Sequence, residues 1–294
     1  TTYTLFGQGV ILVLIQTGGL GIMVFSALLA IMINRKFSQK QTRELQDTYA
    51  TENLKDTYKL IRFIFQYTIF FEVIGTGLLY LALKKEFSNV YEGLYHSIFH
   101  AISAFCNAGF SLYSDSLARY ATNVPVMLTI CSLIIVGGLG FPVIFNLSNL
   151  NLVLKRRNIS IPYTPTRLQT KLAITITFWL LVVGTIVIWA GEYNGALGGY
   201  NSFDKVMISF FNSVTARTAG FSTVDITMFS QGTLLGIMIL MFIGASPGST
   251  GGGIKTSTFG VLMVTFWAKI RSFENVEVYG RTIPKVNMLK AVSV

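Results

Sequence analysis

The chain has 294 residues, of which 52% are hydrophobic and only 12% are charged, and its mean hydropathy is +0.57. Soluble domains carry about 25% charged residues, so this composition excludes a water-soluble fold and predicts an integral membrane protein. The net charge of +10 would suit nucleic acid, but its placement between the apolar runs favours anionic lipid or a cytosolic partner, and we expect no nucleic-acid ligand.

Apolar runs long enough to cross a bilayer, which takes ~20 residues as a helix, recur along the chain. We predict spanning helices at residues 9–33, 59–83, 125–154 and 172–190. A further run at 232–245 is too short to span comfortably, and a second apolar piece resumes after a glycine-rich motif at 258–270. Most of the 23 basic residues lie after the first and third spans or beyond the broken helix, which predicts that these connections are cytoplasmic.

Three segments of the chain resemble one another, which indicates internal repeats. They read IQTGGLGIM (15–23), IIVGGLGFP (134–142) and FIGASPGST (242–250). Two more matching pieces, SIFHAISAFCNAGFS (97–111) and SFFNSVTARTAGFST (209–223), precede the second and third copies. We interpret the GGLG copies as close helix contacts rather than ligand sites.

The repeating unit is a long apolar helix, a half-length segment ending in A-G-F-S, and a second long helix. The half-length segment predicts a re-entrant loop, and successive units keep one orientation because each crosses the membrane twice. The predicted fold class is therefore an all-α integral membrane protein, with parallel helix, pore-loop, helix repeats around a central pore. The predicted parts are the second helix of an incomplete first repeat (1–38), a cytoplasmic connector (39–58), two complete repeats (59–157 and 158–270, the latter with a broken second helix), and a cytoplasmic segment that begins a possible fourth repeat (271–294).

The short helices, predicted at 94–105 and 205–216, would point their C-terminal ends into the membrane. Each end presents about −0.5 elementary charge, which favours a cation. Small residues follow each helix, so backbone carbonyls there could replace an ion's hydration shell. A tight turn between helices is the plainer interpretation of A-G-F, and its recurrence at matching places favours the ion site.

The motifs SAFCNAGFS, SVTARTAGFSTVD and IGASPGSTGGGIKTSTFG, with the two GGLG copies, resemble the membrane subunit of Trk/Ktr-type potassium uptake systems, most closely the Ktr subunit. The resemblance covers almost the whole chain. It implies a channel-like potassium path, a homodimer in the plasma membrane and a cytosolic nucleotide-binding regulatory ring, with no cofactor in this chain. Because family members have four such units and this sequence shows two complete ones, we expect it to be an incomplete copy.

The resemblance also implies roles for particular residues. The filter carbonyls would come from Cys106, Asn107, Ala108, Gly109, Arg217, Thr218, Ala219 and Gly220. The gate would be an intramembrane loop of Ala245, Ser246, Pro247, Gly248, Ser249, Thr250, Gly251, Gly252, Gly253, Ile254, Lys255 and Thr256. A fixed helix break that only shapes the cavity is the alternative for this loop, and we expect Lys255 to anchor its cytoplasmic end.

Two charged residues near the predicted filter need structural partners. Glu72 lies inside a span, where a carboxylate is costly; an ion or proton relay is one interpretation, and a hydrogen-bonded link to a pore helix is favoured. Arg217 would repel a cation, so we expect its guanidinium to point back into the protein and brace the filter strand, with Asp225 as its partner.

The remaining polar features favour structural roles. His96 and His100 share a helix face, a spacing that can hold zinc, but packing within the pore helix is favoured and we predict no other metal site. Cys106 and Cys131 are expected to be free thiols. The segment 271–290 suggests a cytoplasmic surface helix or partner contact, and the polar run 39–56 suggests a similar role.

Two other functions fit parts of the sequence. A secondary transporter for a small solute would use the broken helix as a midplane site, but parallel repeats argue against it. An ATP-binding enzyme would rest on the near-match to G-x-x-x-x-G-K-[ST] at 248–256, which Ile254 interrupts, so we do not expect an enzyme.

Overall fold

The computed structural model describes residues 3–21, 24–25, 54–155, 168–273 and 276–293, and these are predominantly helical. Most of the predicted connector at 39–58 lies outside the described residues. The helices in chain order are α1 (Leu5–Leu20), α2 (Leu54–Leu83), α3 (Val90–Phe105), α4 (Val124–Gly138), α5 (Phe141–Lys155), α6 (Leu168–Glu192), α7 (Ser202–Ala216), α8 (Gln231–Phe242), α9 (Thr256–Ile270) and α10 (Lys285–Val292). Short 3-10 turns lie at Ala118–Tyr120 and Ile226–Met228, and a small antiparallel hairpin is formed by β1 (Glu277–Val278) and β2 (Arg281–Thr282).

Two helices of the described chain, α2 and α6, are long and apolar enough to cross a membrane by themselves. Their outer faces are typical of lipid contact, because large apolar side chains such as Phe70 and Trp179 are more than half exposed. The consecutive helices α4 and α5 make a third span if they count as one. The predicted helical membrane fold is therefore confirmed.

The prediction of one continuous helix over 125–154 is wrong, because α4 and α5 meet at a bend of 91°. Gly140 lies at the break with φ +88°, a conformation that costs other residues about 1–2 kcal/mol. The equivalent glycines of the other two repeat copies, Gly21 and Gly248, also have positive φ, of 81° and 64°. All three copies of the motif thus place a positive-φ glycine at the same position, and within the first predicted span, 9–33, helix α1 ends at Leu20.

The half-length helices α3 and α7 form the centre of the protein. Each is started by an asparagine cap, with Asn89 accepting from the Tyr91 amide and Asn201 from the Asp204 amide. Helix α3 packs against α1, α2 and α4, and α7 packs against α4, α6 and α8. The largest fully buried side chains include Phe105 and Phe211 from these helices, so the core surrounds them.

The C-terminal segment is a hairpin followed by α10, which corrects the surface-helix interpretation of 271–290, while its alternative as a partner contact stays a prediction. Tyr279 and Gly280 have φ values of 52° and 72°, as a tight two-residue hairpin turn requires. The hairpin packs against the ends of α6 and α9, where Val276 and Ile283 are buried with Ala268.

Candidate functional site

The two filter segments predicted from sequence share one backbone conformation. In the first, Asn107 and Gly109 have φ values of 51° and 71°, and in the second the matching Thr218 and Gly220 have 71° and 85°. Glycine adopts this left-handed region freely, asparagine does so occasionally, and a β-branched threonine there is an outlier. The recurrence of an unusual conformation in both copies shows that they are structural equivalents.

Each filter segment begins at the C-terminal end of a pore helix. Helix α3 is capped by Cys106 and α7 by Arg217. A hydroxyl near the end of each helix then holds the outgoing chain, since Ser103 Oγ donates to the Phe110 carbonyl over 2.7 Å and Thr215 Oγ1 donates to the Phe221 carbonyl over 2.8 Å. The segments are thus held at both ends, and the negative end of each helix dipole lies beside them.

The two filter segments touch each other at their glycines. A methyl group added to Gly109 would lie 2.5 Å from the Ala219 carbonyl oxygen and 2.8 Å from the Gly220 Cα. One added to Gly220 would meet only the Gly109 Cα, at 3.4 Å. This close approach needs glycine at position 109, whereas Gly220 is favoured by its positive φ. The contact brings the carbonyl-bearing backbones of two repeats together.

The glycine-rich loop between α8 and α9 lies directly against both filter segments. Thr250 Oγ1 donates to the Phe105 carbonyl at 3.0 Å and accepts from Asn107 Nδ2 at 2.7 Å. In the second filter segment, Thr218 Oγ1 accepts from the Gly252 amide at 3.0 Å. The sequence motifs predicted the filter and the loop separately, and the structure brings them together.

The same loop is held by the break between α4 and α5. The Ser246 amide donates to the Gly138 carbonyl at 3.0 Å, and the Phe141 amide donates to the Gly248 carbonyl at 2.9 Å. A methyl group on Gly140 would come within 2.5 Å of the Pro247 carbonyl oxygen. The sequence predicts only close helix contacts for the GGLG glycines, and in the second copy, 137–140, the break at Gly140 also holds the loop.

Bonds within the loop give it a compact shape. The Ala245 amide donates to the Gly252 carbonyl at 3.0 Å, and the hydroxyls of Ser246 and Thr256 lie 3.0 Å apart. Lys255 Nζ donates to the Gly251 carbonyl at 2.8 Å. The segment that precedes the loop is helix α8 and not the buried strand that a phosphate-binding loop follows, so the near-match to the nucleotide motif does not form that structure.

The guanidinium of Arg217 does not reach Asp225, which corrects the predicted pair. Its Nη2 donates to Thr177 Oγ1 at 3.3 Å and to the Gly244 carbonyl at 3.5 Å, and the side chain is buried. Asp225 is exposed and caps a 3-10 turn, and the hydrogen bonds from Thr227 lower the pKa of its carboxyl group. Arg217 instead lies where the C-terminal ends of α7 and α8 meet, and two helix dipoles favour its charge there.

Glu72 is linked to the first filter segment through a residue that sequence reasoning missed. Gln16 Nε2 of α1 donates to Glu72 Oε2 at 3.3 Å, and the Cys106 thiol approaches Gln16 Oε1 at 3.9 Å. The hydrogen-bonded link between Glu72 and a pore helix that the sequence favours is thus indirect, because it runs through Gln16 of α1 to Cys106, the C-cap of α3. Gln16 lies one residue before the T-G-G-L-G copy, and that position was the available signal.

The two histidines of α3 have structural contacts. His100 Nδ1 lies 2.8 Å from the His96 carbonyl, and its Nε2 lies 3.0 Å from Ser111 Oγ, just after the filter segment. Its ring stacks on Tyr113 at a centroid distance of 5.0 Å. The described residues contain no group of three or more potential metal ligands, and both cysteines are buried free thiols.

Comparison with known proteins gives a consistent result. The family model described as TrkH, cation transport protein, matches residues 1–293. The chain is 36% identical to Ktr system potassium uptake protein B of Bacillus subtilis and 35% identical to potassium/sodium uptake protein NtpJ of Enterococcus hirae, aligning over 100% and 98% of its own length. These alignments cover 64% and 61% of the two relatives, so the chain spans somewhat less than two thirds of their length.

A solved structure supports the fold independently of close sequence similarity. The crystal structure of the potassium transporter TrkH from Vibrio parahaemolyticus superposes with a TM-score of 0.65 at 16% identity. The match covers 98% of this chain and 56% of that one. The overall helical fold of this chain is therefore shared with that protein.

Proposed function

The chain belongs to the TrkH family of cation transport proteins, and on that premise we propose that it carries potassium ions across the plasma membrane. The ions would pass a channel-like filter made of the backbone carbonyls of residues 106–109 and 217–220. The transported ion is the substrate, and the proposal assigns no cofactor to this chain.

The observation that carries this proposal is the contact between the two filter segments. Two chain segments with the same left-handed positions meet at Gly109 and Gly220. Each lies at the negative end of a buried helix, which favours a cation. Irregular backbone inside a membrane protein is tolerated where it is buried or lines a water-filled path, and carbonyl oxygens at such a place can replace the hydration shell of an ion.

The glycine-rich loop, residues 245–256, is the proposed gate. It lies against both filter segments, where Thr218 Oγ1 accepts from the Gly252 amide and Asn107 Nδ2 donates to Thr250 Oγ1. Three backbone hydrogen bonds also join residues 246–250 of the loop to the α4–α5 break. Deleting residues 251–253 should remove the Gly252 contact and raise ion flux. Unchanged flux would support a fixed helix break instead.

Partners and orientation are part of the same proposal. The relatives include proteins named as parts of Ktr systems, which supports a separate cytosolic regulatory subunit, and we propose that it is a nucleotide-binding ring acting on a homodimer of the membrane subunit. The basic connections would face the cytoplasm, following the positive-inside rule, and anionic lipid would contact them.

Rubidium uptake by the full-length subunit in cells that lack potassium transport tests the proposed function. Gly220→Ser should reduce the preference for potassium over sodium, because serine cannot easily adopt φ +85°. Gly199→Ser is the matched control, since Gly199 lies in an outer turn with open space around it. Equal ion preference in the two variants would show that the filter assignment is wrong.

A further inference from the structure

The same position in each filter segment carries a side chain that points to the loop. Asn107 and Thr218 are each the second residue after a pore helix, and both have positive φ. For Thr218 this conformation is unfavourable, because its β-branched side chain crowds the backbone. Backbone strain of this kind persists only where the surrounding structure enforces it.

Both side chains contact the loop, at positions two residues apart. Asn107 Nδ2 donates to Thr250 Oγ1, and Thr218 Oγ1 accepts from the Gly252 amide. Thr250 also donates to the Phe105 carbonyl, the last carbonyl of α3. The loop therefore contacts one pore helix end and the left-handed residue of each filter segment.

We propose that Asn107 and Thr218 form a double latch that couples the conformation of the filter to the position of the loop. This deepens the proposed function and rests on it. When the loop withdraws, Thr218 and Asn107 lose the partners that orient them, and Thr250 leaves the Phe105 carbonyl. Each filter segment then loses its inner support, so a loop released from the latch leaves a filter that selects ions less well.

The coupling runs in both directions because linked equilibria are reciprocal. An ion that holds the filter segments in the observed conformation stabilises the latched loop, and release of the loop weakens ion binding in the filter. Asn107 and Thr218 are thus positioning residues whose side chains act on the ion through the backbone. A loop that only blocks the path would change the rate of transport without changing ion preference.

The test uses the full-length subunit in proteoliposomes, with rubidium flux and potassium-over-sodium preference measured on each variant. Thr218→Val and Thr250→Val preserve shape and remove a hydroxyl, and Asn107→Ala removes the donor amide. Thr218→Val and Asn107→Ala should each raise flux and lower ion preference by about fivefold, for the loss of one hydrogen bond of ordinary strength. Thr250→Val loses two hydrogen bonds and should have the larger effect. Thr218→Ser, which keeps the hydroxyl, should behave as the wild type.

Thr185→Val is the matched control, because that hydroxyl bonds only to the Leu181 carbonyl of its own helix in the described structure. Asn107→Ala and Thr250→Val both remove the hydrogen bond between these two side chains. The double variant should therefore change flux and ion preference only slightly more than the more damaging single variant. Spin labels on the loop and on α4 report loop position by distance, independently of transport. In the wild type potassium should shorten that distance relative to choline, and in Thr218→Val the shift should be reduced.

Three outcomes would overturn the proposal. Flux and preference equal to those of Thr185→Val would show that the contacts have no role in transport. Higher flux with unchanged preference would show that the loop is held but is not coupled to the filter. A wild-type loop distance that does not respond to potassium would exclude coupling even if the variants are poorly folded. A wild-type subunit that carries no potassium would instead contradict the proposed function itself.

Discussion

The two filter segments have the same backbone conformation but are braced by different chemistry. In the first, Cys106 packs against α1, where a methyl group on Gly19 would lie 2.5 Å from its sulfur. In the second, Arg217 places a buried guanidinium against Thr177 and the carbonyl of Gly244. One brace is a close, nearly apolar contact, and the other is a buried charge at two helix ends.

This difference separates the features that the two copies share from those that vary between them. The left-handed positions and the terminal glycine occur in both copies, as the proposed ion path along this backbone would require. The residue that caps the helix, Cys106 in one copy and Arg217 in the other, contacts the surrounding helices and differs between the copies. The two copies therefore offer an internal comparison in which one substitution can be made at equivalent sites.

The largest expected difference between the copies is at their glycines. Gly109→Ala would pay about 1–2 kcal/mol for a left-handed alanine and would add a steric overlap with Ala219 and Gly220, which typically costs about 1–3 kcal/mol. Gly220→Ala should cost mainly the conformational part, since its nearest neighbour is 3.4 Å away. Thermal unfolding in detergent, together with rubidium uptake, should rank Gly109→Ala as the more damaging. The reverse order would mean that the two segments do not pack as described.

The next difference concerns the capping residues. Arg217→Met keeps much of the side-chain length but leaves the buried Gly244 carbonyl without that donor, which costs about 1–3 kcal/mol. Cys106→Ala removes a sulfur from a close contact and should cost about 1 kcal/mol, the ordinary effect of a point substitution. The free energy of unfolding checks the order. Asp225→Ala is the control and should leave the Arg217 site unchanged; an effect as large as that of Arg217→Met would restore the pair predicted from sequence.

A smaller effect is expected from the bridge behind the first copy. Glu72→Gln keeps an acceptor for Gln16 and removes the charge, so stability should change by less than about 1 kcal/mol and rubidium uptake should be nearly unchanged. Glu72→Leu leaves the Gln16 amide without that acceptor and should be more destabilising. If Glu72→Gln stopped uptake as strongly as Gly109→Ala, the carboxylate would belong to the ion path itself.

The smallest effect is expected in the connection between α3 and α4, which follows the first copy. The Arg119 guanidinium donates to Asp115 at 2.8 Å and holds the pKa of that carboxyl group below its usual range. Because the pair is largely exposed, Arg119→Ala should cost about 0.2–1 kcal/mol. The contribution is present above the ordinary aspartate pKa of about 3.9 and is lost as the pH falls through the lowered value. Unfolding curves of the wild type and Arg119→Ala should therefore converge in acid, and a difference that persists there would contradict this assignment.

Much of this arrangement follows from sequence because it is repeated. The long apolar runs and the two A-G-F-S segments predict the helices and the pore loops, and the structure has α3 and α7 close to the expected places. The small residues after each helix indicated where backbone could approach backbone. The contact of Gly109 with Ala219 confirms that such an approach occurs, while the ion-binding role of the carbonyls stays a prediction.

Other features depend on contacts that no local pattern encodes. The break between α4 and α5 was missed because the apolar run there is continuous. The matching motif copy at 242–250, where the sequence does show a break, has the same positive-φ glycine at Gly248. Asp225 was chosen as the partner of Arg217 for its charge, and in the structure Arg217 Nη2 instead donates to a carbonyl and a hydroxyl. The contacts of Thr250 with Asn107 and Phe105 join residues that are 143 and 145 positions apart in the sequence. Only the folded chain brings them together.

The most direct test of the central claim is to locate the ion. A crystal of the full-length subunit grown with rubidium, measured at the rubidium absorption edge, gives anomalous density at each ion site. The account predicts density on the pore axis within carbonyl distance of residues 106–109 and 217–220, and its loss in Gly220→Ser. Rubidium bound only elsewhere, with these carbonyls unoccupied, would contradict the account.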